Sequence, residues 1–466
     1  MKKNSISILF IYPRTSYSYS GGQPPLGIAS LVSYLSTKFN SECRVLDTTF
    51  CKKPKKELAN ILNHVSFDLI CFSIMTPQYN KAINMAEICK KIQPKVPVLF
   101  GGPHPTVCPN QTISNKSVDM VAIGEGEKII TEIIENDFSF EKIKGIFWKK
   151  KEDIIENKPI GFDLNINELP IPDRSALDME RYIVDNIALE SVDASLRTTP
   201  LIVSRGCPYK CTYCQPVLFK LFGSKIRKRC PSLVVDEMEH LNKKFKINGF
   251  DFVDDTLLID KSWVELISEE ILSRGFKITW ACNTRANLCN KEMLEKLFES
   301  GLRKISIGIE SCSNRILKDV YKKGIYSEEV RDAVNTAKKA GLIVKGFFMI
   351  GAYDETVEEM KNTIKFASKL PIDEAMFSVT TPLPGTYLYS ATKEHISLPI
   401  ENLNYYDHGI YNSKHIKNRT LKIMIRLAYL RFYFFSLRRV SIVAKQLIYK
   451  GGIKKFGVKL RRFLGC

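Results

Sequence analysis

Residues 201–214 read Leu-Ile-Val-Ser-Arg-Gly-Cys-Pro-Tyr-Lys-Cys-Thr-Tyr-Cys. Cys207 and Cys211 stand four positions apart and Cys214 follows three later, a spacing that lets three thiolates fold round one small metal centre. Residues 201–204 are apolar and β-branched up to the serine, which predicts a strand, so the cysteine loop leaves a strand end. A closed structural zinc site takes four protein ligands, and a cubane iron–sulfur cluster has four irons to ligate. No fourth Cys or His follows at ligand spacing, the next cysteine being Cys230. Three ligands on a cubane leave one iron open to a substrate or cosubstrate. The alternatives are a zinc knuckle and unliganded surface thiols.

Downstream, residues 198–395 repeat a strand–helix unit. Strands are predicted at 201–204, 249–254, 277–282, 304–308, 344–351 and 374–380, with helices between them, several ending at Gly275, Gly301 or Gly341, glycine being the favoured residue just past a helix end. Parallel units of this kind close toward a barrel whose chemistry sits at the carboxyl ends of the strands. Six units predict a partial barrel, open on one side for a large substrate. The strand ends carry polar residues: Asp254 and Asp255, the Trp280–Arg285 stretch WACNTR, and Glu310 within IGIES.

Upstream, residues 5–147 alternate strand and helix, from the apolar run 6–12 and the helical face of Ile28, Leu31, Val32 and Leu35 onward. Strict alternation predicts an α/β domain with a doubly wound parallel sheet. Ligands on such sheets lie beyond the strand carboxyl ends, where Pro13, Ser73, Gly101 and Gly124 fall. The expected organisation is residues 1–150 as this first domain, 151–197 as a connection punctuated by the ELPIPDR stretch 168–174, 198–395 as the partial barrel and 396–466 as a helical tail.

Thirteen cysteines without an even framework predict reduced thiols and a cytoplasmic setting. No secretory leader is expected from the opening residues, and no stretch reaches the ~18 apolar residues of a membrane span. The net charge of +19 is concentrated: residues 408–466 hold 15 Lys and Arg and no Asp or Glu. The rest of the chain is close to neutral, which argues against nucleic-acid binding by the main body. Residues 418–464 interleave the basic residues with Leu427, Leu430, Phe432, Phe434, Phe435 and Leu437. Basic helices of that kind lie on the inner membrane surface as a peripheral contact, pack their apolar face on the barrel and present charge to an acidic substrate, or stand as a solvated basic cap.

The cysteine loop matches Cys-x-x-x-Cys-x-Φ-Cys, with Tyr213 as the aromatic Φ, and so resembles the radical S-adenosylmethionine (radical SAM) superfamily. Residues 5–147 are similar to the cobalamin-binding domain of one subgroup, through the strand end Ser73-Ile74-Met75-Thr76, the GGPHP turn 101–105 and the GEGE turn 124–127. That subgroup includes relatives of the anaerobic magnesium-protoporphyrin IX monomethyl ester cyclase and cobalamin-dependent radical methyltransferases. The resemblance implies three cofactors: a 4Fe-4S cluster on Cys207, Cys211 and Cys214, S-adenosylmethionine on the open iron, and cobalamin. It further implies that Tyr213 supports the adenine, that Asp254 or Asp255 accepts from the methionyl ammonium, and that Glu310 takes the ribose hydroxyls. Arg285 would fork onto the methionyl carboxylate or hold a loop carbonyl. Ser73, Thr76, Gly101, Gly102 and Gly124 would cradle cobalamin.

Met75 stands where the subgroup usually has Leu, and the histidine-bearing cobalt loop of many methylcobalamin enzymes is absent from 13–25. Cobalt without a protein histidine is therefore expected, with His104 placed in a turn on the nucleotide-tail side. The implied activity is reductive cleavage of S-adenosylmethionine to a 5′-deoxyadenosyl radical and methylation of an unactivated carbon. Ring-forming oxidation or rearrangement, and a non-catalytic sensor, are the alternatives. Partners implied are a small-molecule, lipid or peptide substrate and an electron donor such as flavodoxin or ferredoxin. The remaining cysteines show no second cluster motif. Cys71 is expected as a buried small hydrophobe, and Cys282 as the one other thiol near the chemistry.

Overall fold

In the computed structural model, residues 5–15, 23–403 and 416–448 are described. The first strand, β1 (Ile6–Tyr12), is buried on both sides. Leu9 and Ile11 join Ile70, Phe72 and Phe100 beneath one layer of helices, while Ile8 and Phe10 join Leu69, Leu99 and Met120 beneath the other. A run apolar at consecutive positions is what a parallel strand covered on both faces needs. β1 lies between β2 (Ser41–Asp47) and β3 (Leu69–Ser73), and the sheet continues through β4 (Val98–Gly101), β5 (Met120–Ala122), β6 (Ile146–Lys150) and β7 (Asp153–Glu156). Strand order reverses at β1, which opens a crevice beyond the carboxyl ends of β1 and β3.

Two features differ from the expected wholly parallel sheet. β5 pairs β6, and β6 pairs β7, antiparallel. The sheet thus runs on to Glu156, inside the stretch expected as connection. The hairpin turn is made by Lys151 at φ +58°, a left-handed position that sequence periodicity does not flag. The remainder of the connection is pinned to both domains. Ser33 Oγ donates to the Ile171 carbonyl, and the Asp173 amide donates to the Ala29 carbonyl. Arg174, fully buried, donates to the Pro200 carbonyl and to Glu237 at 3.0 Å.

The second sheet contains six parallel strands, β8 (Thr198–Leu201), β11 (Gly249–Phe252), β12 (Thr279–Arg285), β13 (Leu302–Glu310), β14 (Ile343–Ile350) and β15 (Glu374–Val379), in that order across the sheet. Between β8 and β11, β9 (Ser204–Arg205) and β10 (Arg227–Lys228) form a separate antiparallel pair. The first barrel strand ends at Leu201, not at residue 204 as expected, because Asp254 accepts the amides of Val203 and Ser204 and takes them out of the ladder.

The half-barrel has a free edge at β15, and the tail covers it. The helix Asn418–Phe434 buries Leu421, Met424, Ile425, Ala428 and Phe432 against the barrel. Two of its tyrosines replace a missing strand neighbour: Tyr429 Oη bonds both the amide and the carbonyl of Phe377, and Tyr433 Oη does the same for Ala375. Arg439, buried, donates to the carbonyls of Ser368, Leu370, Ile372 and Phe432, so one tail cation serves as a cap for the helix Val357–Lys369. Basic residues 450–462 and Cys466 fall outside the described residues. Among the described residues no helix is long and apolar enough to cross a membrane.

Replacing Arg439 by Ala leaves four buried carbonyls short of a charged donor. We expect a loss of about 2 kcal/mol by chemical denaturation, against about 1 kcal/mol for Tyr433→Phe.

Candidate active site at the junction of the two domains

The cysteine loop is shaped by backbone geometry before its thiols are considered. Gly206 has φ +97°, and a Cβ there would stand 2.8 Å from the Lys225 carbonyl oxygen, so only glycine turns the chain into Cys207 at this point. Beyond it, Gln215 Nε2 donates to the Cys207 carbonyl at 3.2 Å, Thr212 Oγ1 donates to the Val320 carbonyl at 2.6 Å, and the Leu388 amide donates to the Thr212 carbonyl at 2.9 Å. The loop is thereby tied to the segments following β13 and β15.

Cys207 and Cys211 are buried and Cys214 is half-buried. Cys207 Sγ lies 3.6 Å from Thr256 Oγ1, and Cys211 Sγ accepts from Arg285 Nη1 at 3.3 Å. Burial raises the thiol pKa of Cys207, and burial together with neighbouring Cys211 raises that of Cys214. Both thiols therefore keep their protons until a metal displaces them. Among the described residues no three His, Cys, Asp or Glu side chains converge on one ion.

The strand-end residues divide into scaffold and free groups. Asp254 Oδ1 accepts the Val203 and Ser204 amides and the Ser204 hydroxyl, while Oδ2 is buried without a partner. Burial lifts this carboxyl to about 7. Asp255 opens into the cavity between the domains, where its own surface is exposed but the enclosing walls still push its carboxyl upward. Arg285 is fully engaged: besides Cys211 it donates to Asn287 and to the Lys323 carbonyl, and its guanidinium stacks 3.6 Å over the Tyr209 ring. Of its two expected roles, holding a loop carbonyl is the one its contacts describe.

Glu310 sits at φ +64°, a strained position for a non-glycine residue at a site of chemistry. Its Oε1 accepts from Lys323 Nζ at 3.0 Å and from Tyr213 Oη at 3.4 Å, and Lys323 also reaches Tyr213 Oη at 3.1 Å. Lys323, buried, completes this trio and was absent from the sequence expectation; it lies in a loop beyond the strand end, where no pattern points to it. Cys282 lies in the barrel core with its thiol held up by burial. Cys71 is a buried core residue, as expected.

On the first domain, Ser73, Gly101, Gly102 and Gly124 line a cavity of about 330 Å³ whose opposite wall is Ser204, Arg205, Asp254 and Asp255. Gly102 has φ +92°, and a Cβ there would stand 3.0 Å from both the amide nitrogen and the carbonyl oxygen of Ile74. At Gly101 the nearest atom would be 3.7 Å away. Thr76 turns elsewhere: its hydroxyl lies 3.2 Å from His104 Nδ1. His104 is fully buried against Tyr79, outside the cavity lining, with its pKa lowered to about 4 by burial.

The two cavity walls are joined by a buried ion network. Arg205 donates to Glu125 and, at 2.6 Å, to Glu127, and Arg227 lies 2.9 Å from Glu125. Burial penalises the Glu127 carboxylate, yet Arg205 lowers its pKa overall; the same carboxylates raise that of Arg205 against its own desolvation. The GEGE turn was legible as a glycine turn, but its acids carried no sign of partners some eighty residues away.

Residues 18–134 match the B12 binding domain family, and residues 201–367 match the Radical SAM superfamily. An uncharacterised methyltransferase of Pyrococcus horikoshii is 32% identical, over 88% of each chain. The anaerobic magnesium-protoporphyrin IX monomethyl ester cyclase of Rubrivivax gelatinosus is 25% identical over 82% of this chain and 69% of its own. The solved structure of the radical S-adenosylmethionine methyltransferase TsrM from Kitasatospora setae, with cobalamin and a 4Fe-4S cluster bound, superposes with a TM-score of 0.72 at 18% identity, covering 84% of this chain and 78% of that one. A half-barrel with a three-cysteine loop, facing a doubly wound domain with a glycine cradle, is the architecture of a radical enzyme that uses two cofactor-bearing domains. The chain belongs to the B12-binding group of the radical SAM superfamily, whose cofactors are a 4Fe-4S cluster, S-adenosylmethionine and cobalamin. The residues present fit these groups: three thiols on a pinned loop, and a cavity wall of Gly101, Gly102 and Gly124 in which Gly102, at φ +92°, has no room for a side chain against the Ile74 backbone.

Two outcomes are expected here. Gly102→Ala should weaken hydroxocobalamin binding to the full chain at least about tenfold while Gly101→Ala changes it little, as read by spectral titration. Arg205→Ala removes the cation from buried Glu127 and leaves Glu125 with Arg227 alone, and should cost about 3–5 kcal/mol in unfolding free energy, with Arg205→Lys recovering part of it.

Proposed function

We propose that the protein methylates an unactivated carbon of a small-molecule, lipid or peptide substrate, with an electron supplied by a reduced flavodoxin or ferredoxin. The observation that carries this reading is the shared cavity: Ser73, Gly102 and Gly124 of one domain face Ser204 and Asp255 of the other across a single space. When bound, the cofactors supply hydrogen abstraction by a 5′-deoxyadenosyl radical and a methyl group for the resulting carbon radical. The chain's part is to place them and to keep water out.

Cys207, Cys211 and Cys214 are assigned as cluster ligands. Arg285 lies against Cys211 and offsets the negative charge that a thiolate would bring into a buried site. Asp255, with Asp254 committed to the loop backbone, is the carboxylate assigned to the methionyl ammonium. Glu310, set by Lys323 and Tyr213, is assigned to the ribose hydroxyls. Ser73, Gly101, Gly102 and Gly124 are assigned to cobalamin, and Thr76 to support of the adjoining turn through His104. The similarity to the ring-forming cyclase favours a second reading, in which the same cavity serves oxidation of the substrate without methyl transfer.

The test is anaerobic reconstitution followed by reaction with methyl-deuterated S-adenosylmethionine. A product carrying the labelled methyl, with 5′-deoxyadenosine formed beside it, is the expected result. Labelled cofactor consumed without label in the product would select the cyclase-type reading. Alanine at Cys207, Cys211 or Cys214 should remove both the cluster absorption and 5′-deoxyadenosine, and retained cleavage in those variants would overturn the ligand assignment.

A further inference from the structure

We propose that the outer face of the helix Asn418–Phe434, with the turn that follows it, is a docking surface for an anionic lipid bilayer. The helix is apolar on two sides. Its inner side is spent on the barrel, through Leu421, Met424, Ile425, Ala428 and Phe432. On the other side Ile423, Leu427, Leu430 and Phe434 recur at four, three and four positions, which aligns them in one stripe. All four are exposed, and Phe434 leaves 68% of its surface free. Beyond the helix end, Phe435 is 84% and Leu437 91% exposed, with Val440 exposed as well. Single exposed leucines are ordinary; a contiguous apolar patch of this extent marks a surface that meets something.

The charges say what it meets. Arg419, Lys422 and Arg426 are exposed along one flank of the stripe and Arg431 along the other. No acidic residue occurs from 408 to 466, against 15 Lys and Arg, of which Arg439 is turned inward and buried. A second copy of the same face would be repelled by these like charges, and a phosphate backbone offers nothing to the apolar stripe. An anionic bilayer satisfies both features, taking the stripe into the acyl boundary while the cations meet the headgroups. The helix is also preorganised: its inner contacts, and the tyrosine bonds to β15, hold the outer face in place before any membrane arrives.

Those inner contacts make deletion of residues 418–466 a poor test, because it would strip a core helix from the barrel. The full chain with Leu427→Glu and Phe434→Glu changes exposed positions only. Flotation of the unaltered protein with mixed phosphatidylcholine–phosphatidylglycerol vesicles should show binding at low salt that disappears as the salt approaches molar concentration, where screening is complete within about 3 Å. Vesicles of phosphatidylcholine alone should leave it unbound. The double variant should bind at least about tenfold less, with an unchanged melting temperature. Should that variant fold poorly, Arg419→Gln with Lys422→Gln tests the charge component and should lower the salt at which half the protein is released. Binding that ignores lipid charge and salt, or no binding, overturns the proposal. So does a dimer in sedimentation that Leu427→Glu and Phe434→Glu convert to monomer, since a second copy would then be the occupant.

Discussion

The arrangement of both cofactor-facing surfaces depends on one buried contact, Arg205 between Glu125 and Glu127. Removing a guanidinium and two carboxylates from water costs several kcal/mol per ion unless each finds a partner. Here the partners come from opposite domains, and Arg227 adds a second cation to Glu125. Charge is therefore balanced only while the domains are docked. Arg205 is followed directly by Gly206 and Cys207, and Glu125 directly follows Gly124. The ion network thus fixes the distance between the cysteine loop and the glycine turn through a few rigid backbone bonds.

Within the half-barrel, the polar strand ends are not equivalent. Asp254 and Arg285 are largely consumed in holding backbone: the first ends β8, the second ties the loop at Lys323 to Cys211. Asp255 and Glu310 keep oxygen atoms turned toward open space or toward groups that can exchange partners. Glu310 is held by a lysine and a tyrosine in a left-handed backbone conformation, so its direction is decided by its surroundings more than by its own preference. Precise placement with few moving parts suits a site that has to hold a reactive cofactor in one orientation.

Much of this was legible from local signals. Consecutive apolar residues such as Ile8 to Ile11 announce a strand buried on both faces, and the cysteine spacing is compressed into eight residues. Glycine turns at 101–102 and 124 could be placed because the need for positive φ is a property of one residue. What escaped was pairing at a distance. Nothing near Glu125 foretells Arg205, nothing near Glu310 foretells Lys323, and the antiparallel β6–β7 hairpin rests on a left-handed Lys151 that no period reveals. Charge misled in one instance: Arg439 counts toward a basic tail, yet it is buried and bonded to four carbonyls.

The tyrosine hydroxyls on β15 bear on why the barrel is free to stay incomplete. An unpaired parallel strand at the margin of a sheet is a template on which another chain can add a strand of its own, and such margins drive edge-to-edge aggregation. Tyr429 and Tyr433 occupy the amide and carbonyl groups of alternate residues, Phe377 and Ala375, that would otherwise recruit that strand. A phenol can do this without continuing the ladder, because it carries no further backbone to extend. The tail thereby ends the sheet chemically instead of geometrically. Two strands fewer than a closed barrel become tolerable without leaving an edge for another chain to extend.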